Sequence, residues 1–197
     1  MTVSSLELPP DAVLPPRHPE APAPGTELPS HYVRCFGCGE GVPHGLRVQG
    51  TAGEGLTVSA TFEVTEHHQG APGIAHGGLL TAALDEALGL LGHLVRSPLV
   101  TARLETDFRR PVPVGARLHL RCRIDGAAGR KLYMSAEGSL NEPDGPVAVT
   151  ARALFVKVPL QHYLTHGRPE DIRRVAEDPE ELGKVRHLIE STYQGNP

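Results

Sequence analysis

His76-Gly77-Gly78-Leu79-Leu80-Thr81-Ala82-Ala83-Leu84-Asp85-Glu86-Ala87-Leu88-Gly89-Leu90-Leu91-Gly92-His93-Leu94-Val95 decides how this chain folds. From Gly78 to Val95 the apolar residues recur at helical spacing, and no proline appears until Pro98. At about 100° per residue, Leu79, Leu80, Leu84, Leu88, Leu90, Leu91, Leu94 and Val95 fall within one half of the helical wheel. The other half carries Gly78, Ala82, Asp85, Gly89, Gly92 and Arg96. One long helix is expected, its leucine half against a sheet and a narrow stripe of small residues carrying one carboxylate. Small residues let another backbone or a ligand come close. The plain alternative is that glycine and alanine here simply reflect the composition.

On either side of this helix the period changes to two. Val58, Ala60, Phe62 and Val64 share one face, while Thr57, Ser59, Thr61 and Glu63 share the other. Leu118, Leu120, Cys122 and Ile124 alternate with His119, Arg121 and Arg123 in the same way. Segments 99–109, 131–140 and 147–158 also read as strands, the last with apolar residues on both faces. Turns at Gly115, Gly126–Gly129 and Pro143–Pro146 separate them. The expected class is α+β, with an antiparallel sheet of five or six strands facing the leucine half of the helix. Residues 1–30 hold eight prolines and no periodic apolar pattern, so they read as an extended or disordered arm. Residues 31–158 form the core domain, and residues 159–197 a polar extension with one or two helices over 169–192. No internal repeat is visible.

Composition narrows the partners. A length of 197 residues favours one main domain. A net charge of −4 gives no global attraction to a phosphate backbone, and four Phe, four Tyr and no Trp supply few stacking platforms. No nucleic-acid partner is expected. Asp85 and Glu86 interrupt the most apolar stretch, so no membrane span is expected either. The first 16 residues carry no Lys or Arg and four prolines, unlike a signal peptide. Three cysteines, an odd count, suit a reducing compartment, and a cytoplasmic location is expected. The GxSxG, GxGxxG, phosphate-loop and HExxH patterns are absent from the sequence. Serine-hydrolase, dinucleotide and zinc-protease readings lack support, and no cofactor is expected.

The segment from His67 to Gly78 leads straight into the helix. Two glycines weaken a helix start but leave its first N–H groups open to a ligand. The positive end of the helix dipole adds to this, so the spot suits a carbonyl gaining negative charge. Asp85 lies eight residues further on, roughly 12 Å along the axis. The two therefore serve different steps, or a symmetric dimer brings Asp85 beside the partner's helix start. The structural alternative for Asp85 is a buried acid paired with Arg96 or an opposing Arg. Glu86 points about 100° away and is expected to be solvated or on the rim. Region 103–131 is basic. Arg117, Arg121 and Arg123 are explained by strand alternation, whereas Arg110, Arg130 and Lys131 sit at turns and suit phosphates.

His76-Gly77-Gly78 followed by Asp85, on one helix among antiparallel strands, resembles hotdog-fold acyl-CoA thioesterases of the phenylacetate-pathway type. Cys35-Phe36-Gly37-Cys38-Gly39 with Gly45-Leu46, Gly70-Ala71-Pro72-Gly73, Arg110-Pro111-Val112-Pro113 and Gly129-Arg130-Lys131 resemble the mammalian mitochondrial members and their bacterial relatives. The likeness covers about residues 32–158. It implies hydrolysis of an acyl-CoA to free acid and CoA, in a homodimer with a continuous sheet or in a dimer of dimers. By resemblance the Gly77 N–H polarises the thioester carbonyl, and Asp85 from the opposite subunit activates water or attacks directly. His76 helps position substrate or water, and Thr101 helps hold the water. Gln69 stands roughly where some members have an Asn or Gln. Gly78 and Ala82 line the substrate side, and Arg110, Arg130 and Lys131 take the CoA phosphates. Two alternatives stay open: a hotdog hydratase or dehydratase acting on an acyl thioester, and a non-catalytic acyl-CoA-binding protein.

Cys35-x-x-Cys38 is half of a zinc knuckle that His31 or His44 could extend. No second CxxC exists, and the family motif carries this stretch as a turn, so no metal is expected. A redox dithiol would want a helix N-terminus after the first Cys, which Gly37–Gly45 does not provide. His162 and His166 read as surface histidines.

Overall fold

The computed structural model describes residues 6–184. Its frame is a seven-stranded, wholly antiparallel sheet built from β1 (Glu27–Leu28), β2 (Gln49–Ala52), β3 (Thr57–Glu63), β6 (Leu99–Phe108), β7 (Arg117–Ala128), β8 (Lys131–Leu140) and β9 (Val147–Lys157). The spatial order is β1-β2-β3-β7-β8-β9-β6. A separate hairpin pairs β4 (Gln69–Ala71) with β5 (Ile74–Ala75) just ahead of helix α1 (Gly77–Gly89). Among these contacts α1 lies against β3, β6, β7, β8 and β9, so the sheet curls around it. This is a hotdog fold.

The period-two segments behave as their patterns require. Val58, Ala60, Phe62 and Val64 are buried, as are Leu118, Leu120, Cys122 and Ile124. They meet Leu80, Ala83, Leu84, Ala87 and Leu88 of the helix in one core. Each fully buried Leu or Phe stabilises that core by about 1.5–3 kcal/mol. β9 is apolar on both faces because both are covered. Ala153 and Phe155 belong to the helix-side core, while Leu154 packs with Tyr133 and Leu6 on the other side.

Four details differ from expectation. The sheet has seven strands rather than five or six, because β1 and β2 span two and four residues and carry too few side chains for a period to register. The helix is not continuous to Val95. It ends at Gly89, and a short α2 (Gly92–Val95) follows. Between the two, Leu91 N–H donates to the Leu88 carbonyl at 3.1 Å and His93 N–H to that of Leu90 at 3.1 Å, a tighter winding between two weak helix formers. Gly126 is not in a turn but inside β7, opposite Tyr133. A Cβ there would meet Leu8 Cδ1 at 2.7 Å, so the glycine is what lets the arm descend onto the strand. Finally, residues 77–95 would suffice by length and apolar content to cross a membrane despite Asp85 and Glu86. Here the leucine face of that stretch is buried in the core.

The Pro-rich arm, from residue 6 onward, takes the extended alternative. Val13 and Ala127 exchange backbone hydrogen bonds of 3.0 and 2.7 Å. The Arg17 guanidinium donates to the Gly53 carbonyl at 2.9 Å and also to those of Gly55 and Pro22. His18 N–H donates to the Leu94 carbonyl at 2.9 Å. Beyond the sheet, α3 (Gln161–His166), α4 (Pro169–Glu177) and helical residues 179–184 form the C-terminal extension. The part of the expected 169–192 helices beyond residue 184 lies outside the described residues.

Candidate active site

The approach to α1 is built by short-range hydrogen bonds. Thr65 N–H donates to His68 Nδ1 at 3.0 Å, and His76 N–H donates to the His68 carbonyl at 2.8 Å. His68 is buried, and burial holds its imidazole below the ordinary histidine range, in the neutral form that can accept. Nothing in the sequence distinguishes His68 from His67, yet it is the post on which this loop turns. Gln69 has its amide engaged within the same loop: Nε2 donates to the Glu66 carbonyl at 3.0 Å, and Oε1 accepts from Gly73 N–H at 2.7 Å. It braces the turn at Gly73, whose φ of 74° needs glycine. Gly70 packs against His76, since a Cβ there would lie 2.7 Å from His76 Cα.

His76 is the N-cap of α1. Its Nδ1 accepts from Gly78 N–H at 2.9 Å, which takes one of the open donors of the first turn. The Gly77 N–H has no acceptor among the described residues. The Phe108 ring lies over Gly77, 3.3 Å from where a Cβ would sit, so a larger residue would crowd that donor.

Two turns on, Thr101 Oγ1 donates to Asp85 Oδ1 at 2.8 Å. Burial pushes the Asp85 carboxyl above its ordinary value, and the Thr101 hydrogen bond only partly offsets this. Its partner is therefore a hydroxyl and not Arg96, which pairs with Glu20 at 3.4 Å. Helix and strand run in opposite directions here, with Gly77 beside Phe108 and Asp85 beside Thr101.

Glu86 overturns the expectation of a solvated acid. It turns inward to His31, whose Nδ1 lies 2.8 Å from Oε1, and it accepts from Cys35 Sγ at 3.2 Å. Burial alone would raise its pKa, but the His31 contact wins and lowers it. His31 is lifted to about 9: burial works against this, and the contacts with Cys35 and Glu86 outweigh it. The hydrogen bond with Cys38 draws Cys35 down to about 5, while the same bond pushes Cys38 up. The sulfur, nitrogen and oxygen donors of His31, Cys35, Cys38 and Glu86 lie within 4.8 Å of one another. Among the described residues they are the group placed to hold a metal.

The three turn cations are not brought together. Arg130 and Lys131 occupy the β7–β8 hairpin, where Lys157 N–H donates to the Arg130 carbonyl at 2.8 Å. Arg110 lies past the opposite end of β6, its N–H donating to the Ala148 carbonyl at 3.1 Å. Leu99 faces Lys157 and Phe108 faces Val149, so the two groups are separated by the length of the strand, about 30 Å at 3.3 Å per residue. Arg117 pairs with Glu63 across strands, and Arg123 with Asp125 at 2.7 Å, as solvent-facing strand residues do. Gly78 and Ala82 lie on the less buried side of α1, at its start and one turn later.

Residues 72–146 match the family model described as the thioesterase superfamily. That stretch resembles a thioesterase-superfamily domain. A crystal structure described as a thioesterase superfamily protein aligns with a TM-score of 0.59 and 27% identity, covering 70% of each chain. The PaaI protein from the phenylacetic acid degradation operon of E. coli shares the fold, with a TM-score of 0.53 and 17% identity over 57% of this chain and 80% of that one. Acyl-coenzyme A thioesterase THEM4 of Bos taurus is 35% identical over 98 residues, 49% of this chain and 39% of the relative. The matched regions span 30–43% of the length of such curated relatives. The thioesterase-superfamily match takes in the helix start, Asp85 and Thr101, but not the Cys35–Cys38 loop.

Proposed function

We propose that this protein hydrolyses an acyl-CoA thioester to a free acid and CoA, in a dimer whose active sites lie between subunits. The observation that carries the reading is the hydrogen bond of Thr101 to a half-buried Asp85 on the core helix, in a domain of thioesterase-superfamily type. The likeness to proteins named acyl-CoA thioesterases supports the substrate class.

Among the described residues no strand pairs with the outer edge of β6, which favours pairing with a second copy. Antiparallel pairing of two such strands about a two-fold axis sets the Phe108 end of one beside the Thr101 end of the other. The Gly77 N–H of one subunit then faces Asp85 of the partner subunit. In this arrangement Gly77 N–H and the positive helix end stabilise the oxyanion. The carboxylate takes a proton from water as the oxygen attacks the carbonyl carbon. The C–S bond breaks, and the CoA thiolate leaves and is protonated. Thr101 orients the carboxylate, and His76 fixes the glycine turn by its cap. Arg110 of one chain and Arg130 and Lys131 of the other flank the same cleft and suit the CoA phosphates. Gln69, engaged within its own loop, supports that loop from a distance. The free cysteines Cys35, Cys38 and Cys122 support a cytoplasmic location.

Thiol release from a panel of acyl-CoAs of graded chain length tests this reading. The wild type turns over at least one of them, and Asp85→Asn reduces kcat by about 10²–10⁴-fold at unchanged fold. Full activity in Asp85→Asn would sink the mechanism. Conversion of a 2-enoyl thioester without thiol release would replace it with the hydratase alternative.

A further inference from the structure

The cluster around Glu86 belongs to no step of the reaction above. His31 Nδ1 lies 2.8 Å from Glu86 Oε1, Cys35 Sγ 3.2 Å from Glu86 Oε2, and Cys38 Sγ 3.7 Å from His31 Nδ1. All four donors fall within 4.8 Å of one another. A tetrahedral zinc ion with bonds of about 2.0–2.3 Å needs donors roughly 3.3–3.8 Å apart. We propose that His31, Cys35, Cys38 and Glu86 bind one zinc ion as a closed, structural site.

The backbone around the cysteines is shaped for this. Gly39 N–H donates to the Cys35 carbonyl at 2.7 Å, closing a tight knuckle between the two thiols. A Cβ on Gly39 would lie 2.4 Å from the Val33 carbonyl oxygen and 2.5 Å from that of Cys35, so the knuckle admits only glycine. A Cβ on Gly37 would come within 2.2 Å of Glu86 Oε2, so the loop presses its backbone directly onto the carboxylate. His31 N–H donates to Cys38 Sγ at 3.2 Å, the kind of outer contact that orients and stabilises a ligating thiolate.

The chemistry selects the metal. Two sulfurs and an imidazole favour zinc over magnesium or calcium, which prefer all-oxygen shells. Two thiolates and a carboxylate carry three negative charges beside a neutral imidazole, and a divalent ion leaves one. Metal entry displaces the thiol protons to solvent and changes no oxidation state. Four protein donors leave no position for water or substrate, so the ion takes no part in thioester chemistry. The site is therefore independent of the proposed activity. Its effect is mechanical: the ion clamps the loop before β2 onto α1 at the residue next to Asp85.

The test uses the full chain, produced in zinc-supplemented medium and purified under reducing conditions without nickel resin or chelator. Plasma mass spectrometry should find about one zinc per chain. Cys35→Ser combined with Cys38→Ser should lose it, while Cys122→Ser, in the sheet core, should keep it. Cobalt substitution of the wild type should give thiolate-to-metal charge-transfer absorption and the intense visible bands of a four-coordinate ion. Should the double variant not fold, two measurements remain. Zinc titration of the wild type against a chromophoric chelator of nanomolar affinity should show competition, and Glu86→Gln should weaken zinc binding at least about tenfold. A wild type that never competes with the chelator, that is isolated with Cys35 and Cys38 joined as a disulfide under these conditions, or whose Glu86→Gln variant binds zinc unchanged overturns the proposal.

Discussion

Asp85 and Thr101 are brought together from a helix and an edge strand, and the single hydrogen bond between them is 2.8 Å long. Thr101→Val keeps the volume and removes only the donor. Losing the bond frees the carboxylate to rotate, so kcat should fall about 10–100-fold while KM changes little. Equal losses in kcat/KM through KM alone would show that Thr101 acts in binding instead. Cys122 offers a control at the same scale. Burial in the sheet core pushes its thiol up to about 12. It stays protonated at any ordinary pH, so a disulfide reagent should modify it only after denaturation. Rapid labelling of Cys122 in the native protein would contradict the burial.

At the scale of elements, the helix start and the arm make separate predictions. Position 77 is the first residue of α1, and the preceding His76 has φ −70° and ψ 127°, the extended backbone that precedes proline comfortably. Gly77→Pro therefore removes the N–H while keeping a favoured N1 residue, at the cost of displacing the exposed Phe108 ring. Activity should drop about 10²–10³-fold, as expected for one lost oxyanion donor, with the melting temperature held within a few degrees. For the arm, Leu6 is buried against Tyr133 and Leu154. Leu6→Ala should lower the unfolding free energy by about 2–3 kcal/mol, measured as a shifted urea midpoint at constant slope. An unchanged midpoint would mean that the arm contributes nothing to stability.

These elements also mark what the sequence discloses. The alternation at 58–64 and 118–124 specifies faces because every second residue must be apolar, and the leucine face of α1 is as plain. The arm's docking is not legible, since one leucine, one arginine and a few backbone groups make no period. The inward turn of Glu86 is hidden for a different reason. Its partners lie in the loop at His31 and Cys35, 51 residues or more away in the chain, and spacing within the helix says only which way it points. Likewise the Gln69 amide is claimed by hydrogen bonds three and four residues away, which a motif comparison does not see.

At the scale of the whole molecule, the proposed mechanism makes activity a property of two chains, since Gly77 and Asp85 of one chain lie two helical turns apart. Mixing Asp85→Asn and Gly77→Pro subunits tests this. Each homodimer lacks a complete site, but a mixed dimer contains one site with Gly77 from the first chain and Asp85 from the second. Random exchange of equal amounts gives half mixed dimers, each with one of two sites intact, so about a quarter of wild-type activity should return. No recovery after verified exchange would place both groups in one chain.

The strand order has a consequence for how the molecule comes to exist. β7, β8 and β9 follow one another as hairpins, whereas β6 must wait for β9, joining Leu99 to Lys157 across 58 positions. Local pairings close quickly and distant ones late. On a ribosome, β6 has already emerged, bearing Thr101, before its neighbour has been made. β6, the strand that bears Thr101, thus joins the sheet after the β7–β8–β9 meander has paired. Hydrogen exchange pulsed during refolding should show the same order, with β6 amides protected after those of β7 and β8.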